Sequence, residues 1–407
     1  MTFALEGIKV LDVSQVAAVP MAARHLADFG ADVIHIEPPV TGDSFRVYQA
    51  GIGRGTGGVS SNINYNWENF NRNKRSLALD LSQEGGQEII YKLLAKTDIF
   101  LTNLRLFERE KFSLEYDTLN RLNPRLIYGS LTGYGKNGPD RNAPAYDRIA
   151  YWARSGIPHR LSQPGMLPPD PSAAFGDNAA ALALTYGVMM ALYVRERTGV
   201  GQEVDLSLFH TGVYQISYDI AGALVTGQDC QEWKPRSKED VPNPLSMLYE
   251  TKDGRWLQIT IIQPDRYWAR FCQVIERQDL EHDLRFKSFE LRLKNHAYLY
   301  HILEGVFLSK TLDEWKPQLV GIPFSPLQNF IEVINDPQAR ANDFFVAYDH
   351  PTYGHIEVVA NPIKLSQTPA TIRMPAPEFS QHTEEVLLEC GYTWEDIEQF
   401  KQQRIIA

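Results

Sequence analysis

The sequence predicts an α/β protein built on a parallel sheet, and three observations carry that expectation. Short apolar runs at 8–13, 31–36, 75–81, 98–102 and 125–131 alternate with helical segments, the pattern of strands joined by crossover helices that cover both faces of a parallel sheet. The chain has 407 residues, 43% of them hydrophobic, enough for a sizeable core and more than one domain. A polar, proline-bearing stretch at 226–244 then changes the character of the chain, as a linker does, and hairpin signals beyond it indicate a smaller α+β domain.

Residues 8–13 read as the first strand, 20–29 as a helix stopped by Gly30, and 31–36 as a second strand ending at Glu37. An acidic residue after the second strand of a βαβ unit invites a dinucleotide-binding reading. Residues 14–29 contain no glycine, however, so the G-x-G-x-x-G fingerprint of a nicotinamide site is absent. Ser82-Gln83-Glu84 opens an amphipathic helix through Ala95, a fourth strand covers 98–102, a helix 113–122 and a fifth strand 125–131. Ligands of parallel sheets bind beyond the carboxyl ends of the strands. Here those ends are Val16-Ala17, Pro38, Leu79 to Ser82, Asn103 to Arg105, and Gly133-Tyr134-Gly135.

The loop 40–75 is long, glycine-rich and aromatic, and loops of that size are usually functional or disordered. Its basic residues Arg72, Lys74 and Arg75 suit a phosphate site or, more ordinarily, a solvated surface. Downstream, Phe175-Gly176-Asp177 follows a proline-rich loop and precedes about five turns of strong helix formers, closed by Arg195, Arg197 and Gly199. Asp177 stands where an N-cap belongs, and the helix, apolar nearly all round, is expected to be buried. The helix dipole would favour the ionised carboxylate, so Asp177 is either an ordinary cap or a nucleophile. An edge-like strand at 201–207 and a helix from about 208 to 224 follow, with His210 read as a core residue. Asp253-Gly254 marks a hairpin between 246–249 and 256–262, and helices are expected near 267–276, 294–308 and 311–318. From 321 the chain turns back, ending in short strands, a turn at Tyr353-Gly354 and helical stretches at 383–389 and 394–403. The expected division is 1–225, 226–325 and 326–407.

Composition narrows the function. Fifty acidic against forty basic residues, without long runs of one sign, argue against a nucleic-acid surface and fit a soluble cytoplasmic protein. Three scattered cysteines, Cys230, Cys272 and Cys390, support neither a disulfide framework nor a zinc site. No secretory signal, membrane span, metal-spaced histidine pair, G-x-S-x-G elbow or phosphate-binding P-loop occurs. Carboxylates remain the candidates for chemistry.

Nearly the whole chain resembles the class III CoA-transferases, the family of formyl-CoA, carnitine and phenyllactate CoA-transferases. The likeness is carried in order by 5–12, 29–37, 73–81, Leu122-Asn123-Pro124-Arg125, Thr132-Gly133-Tyr134-Gly135, Gly176-Asp177 and Thr198-Gly199-Val200-Gly201-Gln202. The resemblance implies a large Rossmann-like domain made from both chain ends, a small domain between them, and an interlocked homodimer. It implies no permanently bound cofactor, with coenzyme A and a small carboxylic acid as substrates, and Asp177 as the nucleophile of an exchange through mixed anhydrides and an aspartyl-CoA thioester. Its CoA contacts fall on Val16, Ala17, Leu79, Asp80, Leu81, Ser82, Asn103, Leu104, Arg105, Arg109, Ala145, Tyr146 and Asp147.

This chain departs from the formyl-CoA transferases at Pro38 and Pro144, where they carry basic residues. Arg46, Arg72, Lys74, Arg105 or Arg109 would then meet the phosphates. Asn243-Pro244-Leu245 is similar to the phenyllactate and 2-hydroxyacid branch, which implies an aryl, branched or 2-hydroxy acid. A related α-methylacyl-CoA racemase carries His-Asp where this chain has Tyr146-Asp147, and tyrosine is a poor base near neutral pH. A CoA-binding protein without catalysis is the remaining alternative. Glu37, Glu68 and Asp147 are the carboxylates open as partners of Asp177.

Overall fold

Strand β1 (Lys9–Val13) is buried on both sides of its pleat from Val10 onward because it lies inside a sheet covered on both faces. The computed structural model describes residues 3–47, 63–162, 165–229 and 237–407. After β1 come α1 (Ala18–Asp28), β2 (Asp32–Glu37), a 3-10 turn (Ser44–Arg46), α2 (Tyr65–Asn71), β3 (Lys74–Ala78), α3 (Glu84–Leu94), β4 (Ile99–Thr102), α4 (Leu106–Lys111), α5 (Tyr116–Leu122) and β5 (Ile127–Thr132). A π-helical turn (Asp147–Ala153), α6 (Ile157–Leu161), α7 (Phe175–Thr198), β6 (Glu203–Ser207), α8 (Leu208–Gln215) and α9 (Ser217–Thr226) complete this part. The six strands are all parallel, in the order β3-β2-β1-β4-β5-β6. The order reverses between β1 and β4, the switch point at which such sheets open a ligand crevice.

By contact the chain divides into two units, Met1–Ser162 with Leu167–Gln228 and Asp343–Ala407, and Gln163–Met166 with Asp229–Asn342. In the second, β7 (Leu248–Glu250), β8 (Trp256–Ile259) and β9 (Phe324–Pro326) form an antiparallel sheet. Between β8 and β9 run α10 (Pro264–Val274), α11 (Asp279–His282), α12 (Phe289–Lys294), α13 (His296–Phe307) and α14 (Leu312–Gln318), and α15 (Phe330–Ile334) and α16 (Pro337–Ala341) follow β9. Its core gathers Tyr249, Leu257, Phe271, Leu303, Phe307 and Trp315. The chain then returns to the first unit as the hairpin β10 (Phe345–His350) and β11 (Gly354–Val359), then α17 (Thr383–Glu389) and α18 (Trp394–Gln402).

Each sheet face has its own core. On one, α1 and α7 pack through Met21, Leu26, Ala181, Leu184 and Val188. On the other, Leu11, Phe100 and Tyr128 meet Ile90 and Leu94 of α3 and the returning Val386, Leu387, Ile397 and Ile406. Glu68 fastens the return, accepting hydrogen bonds from the Tyr348 hydroxyl (2.8 Å) and the Ala376 amide (3.0 Å).

Three expectations are corrected. The helix at 208–224 is two helices, broken at Ile216, whose side chain packs onto the first core instead of continuing the helix. Helix α7 is not buried all round. It packs along one side and leaves Leu182, Tyr186, Met190, Tyr193 and Val194 exposed, with Tyr186 68% accessible. Its length and composition would suit a membrane span, yet Ala181, Leu184 and Val188 belong to the first core. His210 is exposed near the start of α8, not in the core.

Candidate functional site

The carboxyl ends of the strands open into two adjoining hollows of about 200 and about 340 Å³. Ser14, Glu37, Pro38, Leu79, Asp80 and Leu81 line the first. Val16, Asn103, Arg105, Arg141, Ala145 and Tyr146 line the second, and Gln15, Leu104 and Glu108 face both. Together they form one groove across the switch point. Nine of the sequence-derived contact residues therefore share a surface: Val16, Leu79, Asp80, Leu81, Asn103, Leu104, Arg105, Ala145 and Tyr146. Ala17 is buried behind it as the N-cap of α1. Ser82 lies just beyond the rim, its hydroxyl and amide both donating to Asp80 (2.6 and 2.9 Å).

Most of the basic candidates are engaged elsewhere. Arg46 forks onto Glu37 with two bonds of 2.6 Å and stacks 3.9 Å from the Trp67 ring. Arg72 is buried against Asp28 (2.9 Å), and Lys74 is buried against Asp12 (2.9 Å) and Asn71 (2.8 Å). Arg75 pairs with Asp32, Glu385 and Glu389. Arg109 is also buried, donating to the carbonyls of Leu104 (2.7 Å) and Leu131 (3.4 Å), so it braces the strand-end loops behind the groove and does not line it. The rest of the long loop, 48–62, lies outside the described residues.

Among the described residues, two arginines face the groove. Arg105 is exposed and held by Glu108 (3.1 Å). Arg141 is exposed and, among the described residues, meets no carboxylate. The sequence reading missed Arg141. The available signal was a basic residue in the loop after the fifth strand, the kind of segment that lines such a crevice.

Tyr146 of the groove wall is followed in the chain by the first of two carboxylates. Asp147 begins the π-helical turn and is buried, with Oδ1 accepting the Gly176 amide (3.0 Å). Oδ2 has no hydrogen-bond partner among the described residues. Gly176 is glycine because a Cβ there would stand 2.2 Å from the Tyr151 ring and 2.4 Å from Asp147 Oδ1. That absence lets α7 start against Asp147.

Asp177 is therefore not an N-cap. Ala174, in the left-handed conformation at φ 60°, occupies that place, and Asp177 is the third residue of α7. Its carboxyl forms no hydrogen bond among the described residues. Burial, with the Asp147 charge added, pushes it up to about 7, against the direction the helix dipole favours. Burial also raises Asp147, with the Gly176 amide opposing. The Asp147 charge thus acts on Asp177, the first carboxyl held by backbone and the second without a hydrogen bond among the described residues. Of the three possible partners, Glu37 is engaged with Arg46 and Ser76, and Glu68 with Tyr348 and Ala376. Asp147 is the one beside Asp177.

Comparison with known proteins gives the family of the chain. Residues 5–383 match the family model "CoA-transferase family III". The chain is 35% identical over 404 residues to (R)-2-hydroxy-4-methylpentanoate CoA-transferase of Clostridioides difficile, covering 99% of each. It is 33% identical to cinnamoyl-CoA:phenyllactate CoA-transferase of Clostridium sporogenes, covering 98% of this chain and 96% of that one. Among solved structures, a CaiB/BaiF family protein from Brucella suis superposes with a TM-score of 0.80 at 27% identity, covering 96% of this chain and 100% of the other.

Proposed function

The chain belongs to CoA-transferase family III and is a CoA-transferase, and from that premise we propose that Asp177 carries CoA between two acids by covalent catalysis. The observation that carries this reading is the Asp177 carboxyl on the first turn of α7, which forms no hydrogen bond among the described residues and feels the charge of Asp147, the residue that follows the groove-lining Tyr146. The ionised carboxylate attacks the donor thioester carbonyl, the C–S bond breaks, and a mixed anhydride and CoA thiolate form. The thiolate attacks the aspartyl carbonyl, releasing the donor acid and leaving an aspartyl-CoA thioester. The acceptor carboxylate repeats the exchange in reverse, through a second anhydride, and regenerates Asp177. Each step uses an activated acyl group, so two weak nucleophiles exchange without loss of the thioester energy.

The raised pKa suits this role. A carboxylate that is poorly solvated is a stronger nucleophile than one in water, and a half-buried site limits hydrolysis of the anhydride. Arg141 and Arg105 supply charge-assisted contacts to CoA phosphates at the groove, in place of the basic residues missing at Pro38 and Pro144. The named activities of the two relatives favour a 2-hydroxy acid, or an aryl or branched acid, as acceptor. The exposed stripe from Leu182 to Val194 on α7 is an apolar face suited to a second copy of the chain.

The test is to incubate the protein with cinnamoyl-CoA, succinyl-CoA and a branched 2-hydroxyacyl-CoA, add hydroxylamine, and map adducts by mass spectrometry. A hydroxamate on the peptide carrying Asp177 is expected. No adduct, together with deuterium wash-in at the α-carbon of a branched acyl-CoA, would overturn the transferase mechanism in favour of racemisation.

A further inference from the structure

The turn from β1 into α1 holds a valine in a conformation that valine resists. Val16 has φ 72°, and a β-branched residue in the left-handed region is a genuine outlier. A glycine would adopt it without strain, and this is the turn in which dinucleotide-binding folds place glycines. Val16 also lines the groove. Strained backbone persists only where the surroundings over-determine it, and it gathers at ligand sites.

Two side chains over-determine this one. Asn103, at the end of β4, accepts the Gln15 amide (3.0 Å) and donates to the Gln15 carbonyl (2.7 Å). Asp43 accepts the Val16 amide on both carboxylate oxygens (3.2 and 3.1 Å). Asp43 is itself fully buried, accepts the Phe45 amide (2.8 Å), and is tied through its own amide to Glu37 (2.9 Å). Behind it, His35 Nε2 lies 3.5 Å from Asp43 Oδ2, while His35 Nδ1 and Lys74 Nζ each stand 2.9 Å from Asp12 Oδ2. This row of buried opposite charges runs from the sheet interior to the groove wall.

We propose that Asp43 is a positioning residue of the CoA groove: its carboxylate holds Val16 in the left-handed conformation, so that residues 15–17 present a fixed wall to the bound thioester. The inference rests on the CoA-binding reading of the groove. Its cationic backing explains why an acid stands here. An asparagine would keep one acceptor for two converging amides and turn its own N–H groups against the other.

The test is a double-mutant cycle with free coenzyme A as the probe, measured by titration calorimetry. Asp43→Asn is expected to weaken CoA binding about tenfold, and its crystal structure to show Val16 at negative φ. In the background of Val16→Gly, which needs no restraint, the same substitution should weaken binding less than about threefold. Equal weakening in both backgrounds, or a Val16 that stays left-handed in Asp43→Asn, would overturn the proposal. Should Asp43→Asn fail to fold, the double variant is expected to fold, and failure of both would place Asp43 in general stability and refute its positioning role. A parent protein that binds no CoA would defeat the groove reading instead, and the Val16 backbone in Asp43→Asn would still decide the positioning.

Discussion

Replacing Asp177 with asparagine should abolish transfer and, at alkaline pH, stabilise the fold. The carboxyl's ordinary value is 3.8 and burial with Asp147 takes it to about 7. That gap corresponds to roughly 4 kcal/mol of unfavourable ionisation at high pH. Part of the residue remains exposed, so solvent screening reduces the expected gain to about 2 kcal/mol at pH 8. The sign follows from linkage: between about pH 4 and 7 the folded state binds more protons than the unfolded one, so the parent loses stability as pH rises through that window. The neutral amide has no such dependence, and its advantage should shrink below about 1 kcal/mol at pH 5. Urea unfolding of both proteins at pH 5 and pH 8 measures this. An Asp177→Asn variant no more stable than the parent at pH 8, or one with the same advantage at both pH values, would refute the account of the buried carboxyl.

Other outcomes follow from the same contacts. Asp147→Asn keeps the acceptor for the Gly176 amide but removes a charge, so Asp177 should ionise more readily. The acid limb of kcat/KM should move to lower pH than in the parent, while staying above the ordinary carboxylate value because burial remains. Gly176→Ala forces a Cβ onto Tyr151 and Asp147, and should reduce transfer about a hundredfold by displacing Asp177, with about 1–3 kcal/mol lost in thermal or urea unfolding. Arg141→Ala should weaken CoA binding about tenfold and flatten its salt dependence at unchanged stability, as titration at two ionic strengths would show. Arg109→Ala should instead lower stability by about 1–3 kcal/mol in urea unfolding, because it leaves the Leu104 and Leu131 carbonyls unpaired.

Strands β4 and β5 were legible because a sheet covered on both faces favours continuous, largely apolar runs: Ile99–Thr102 and Ile127–Thr132 are buried at every position. Helix ends were legible where glycine stops them, as Gly199 does at φ 80°. The groove followed from the same reasoning, since strand ends in a parallel sheet converge on one edge whatever the side chains do. The break at Ile216 and the exposed side of α7 were not legible, because apolar side chains look alike whether a neighbour covers them or not. Basic side chains misled for a related reason. Arg72 finds Asp28 at the end of α1, and Lys74 on β3 reaches Asp12 on β1 across β2, and pairing between residues 44 and 62 positions apart leaves no local pattern.

The sequence by itself determined the alternation of strands and helices, the family, and the Gly176-Asp177 pair, because these rest on periodicity and on short ordered blocks of residue types. Tertiary structure alone decided which cations remain available at the groove and in which direction Asp177 titrates. Both depend on the sum of desolvation and charge at one point in space. Local sequence offered only the helix dipole, and burial, with the Asp147 charge added, outweighs it.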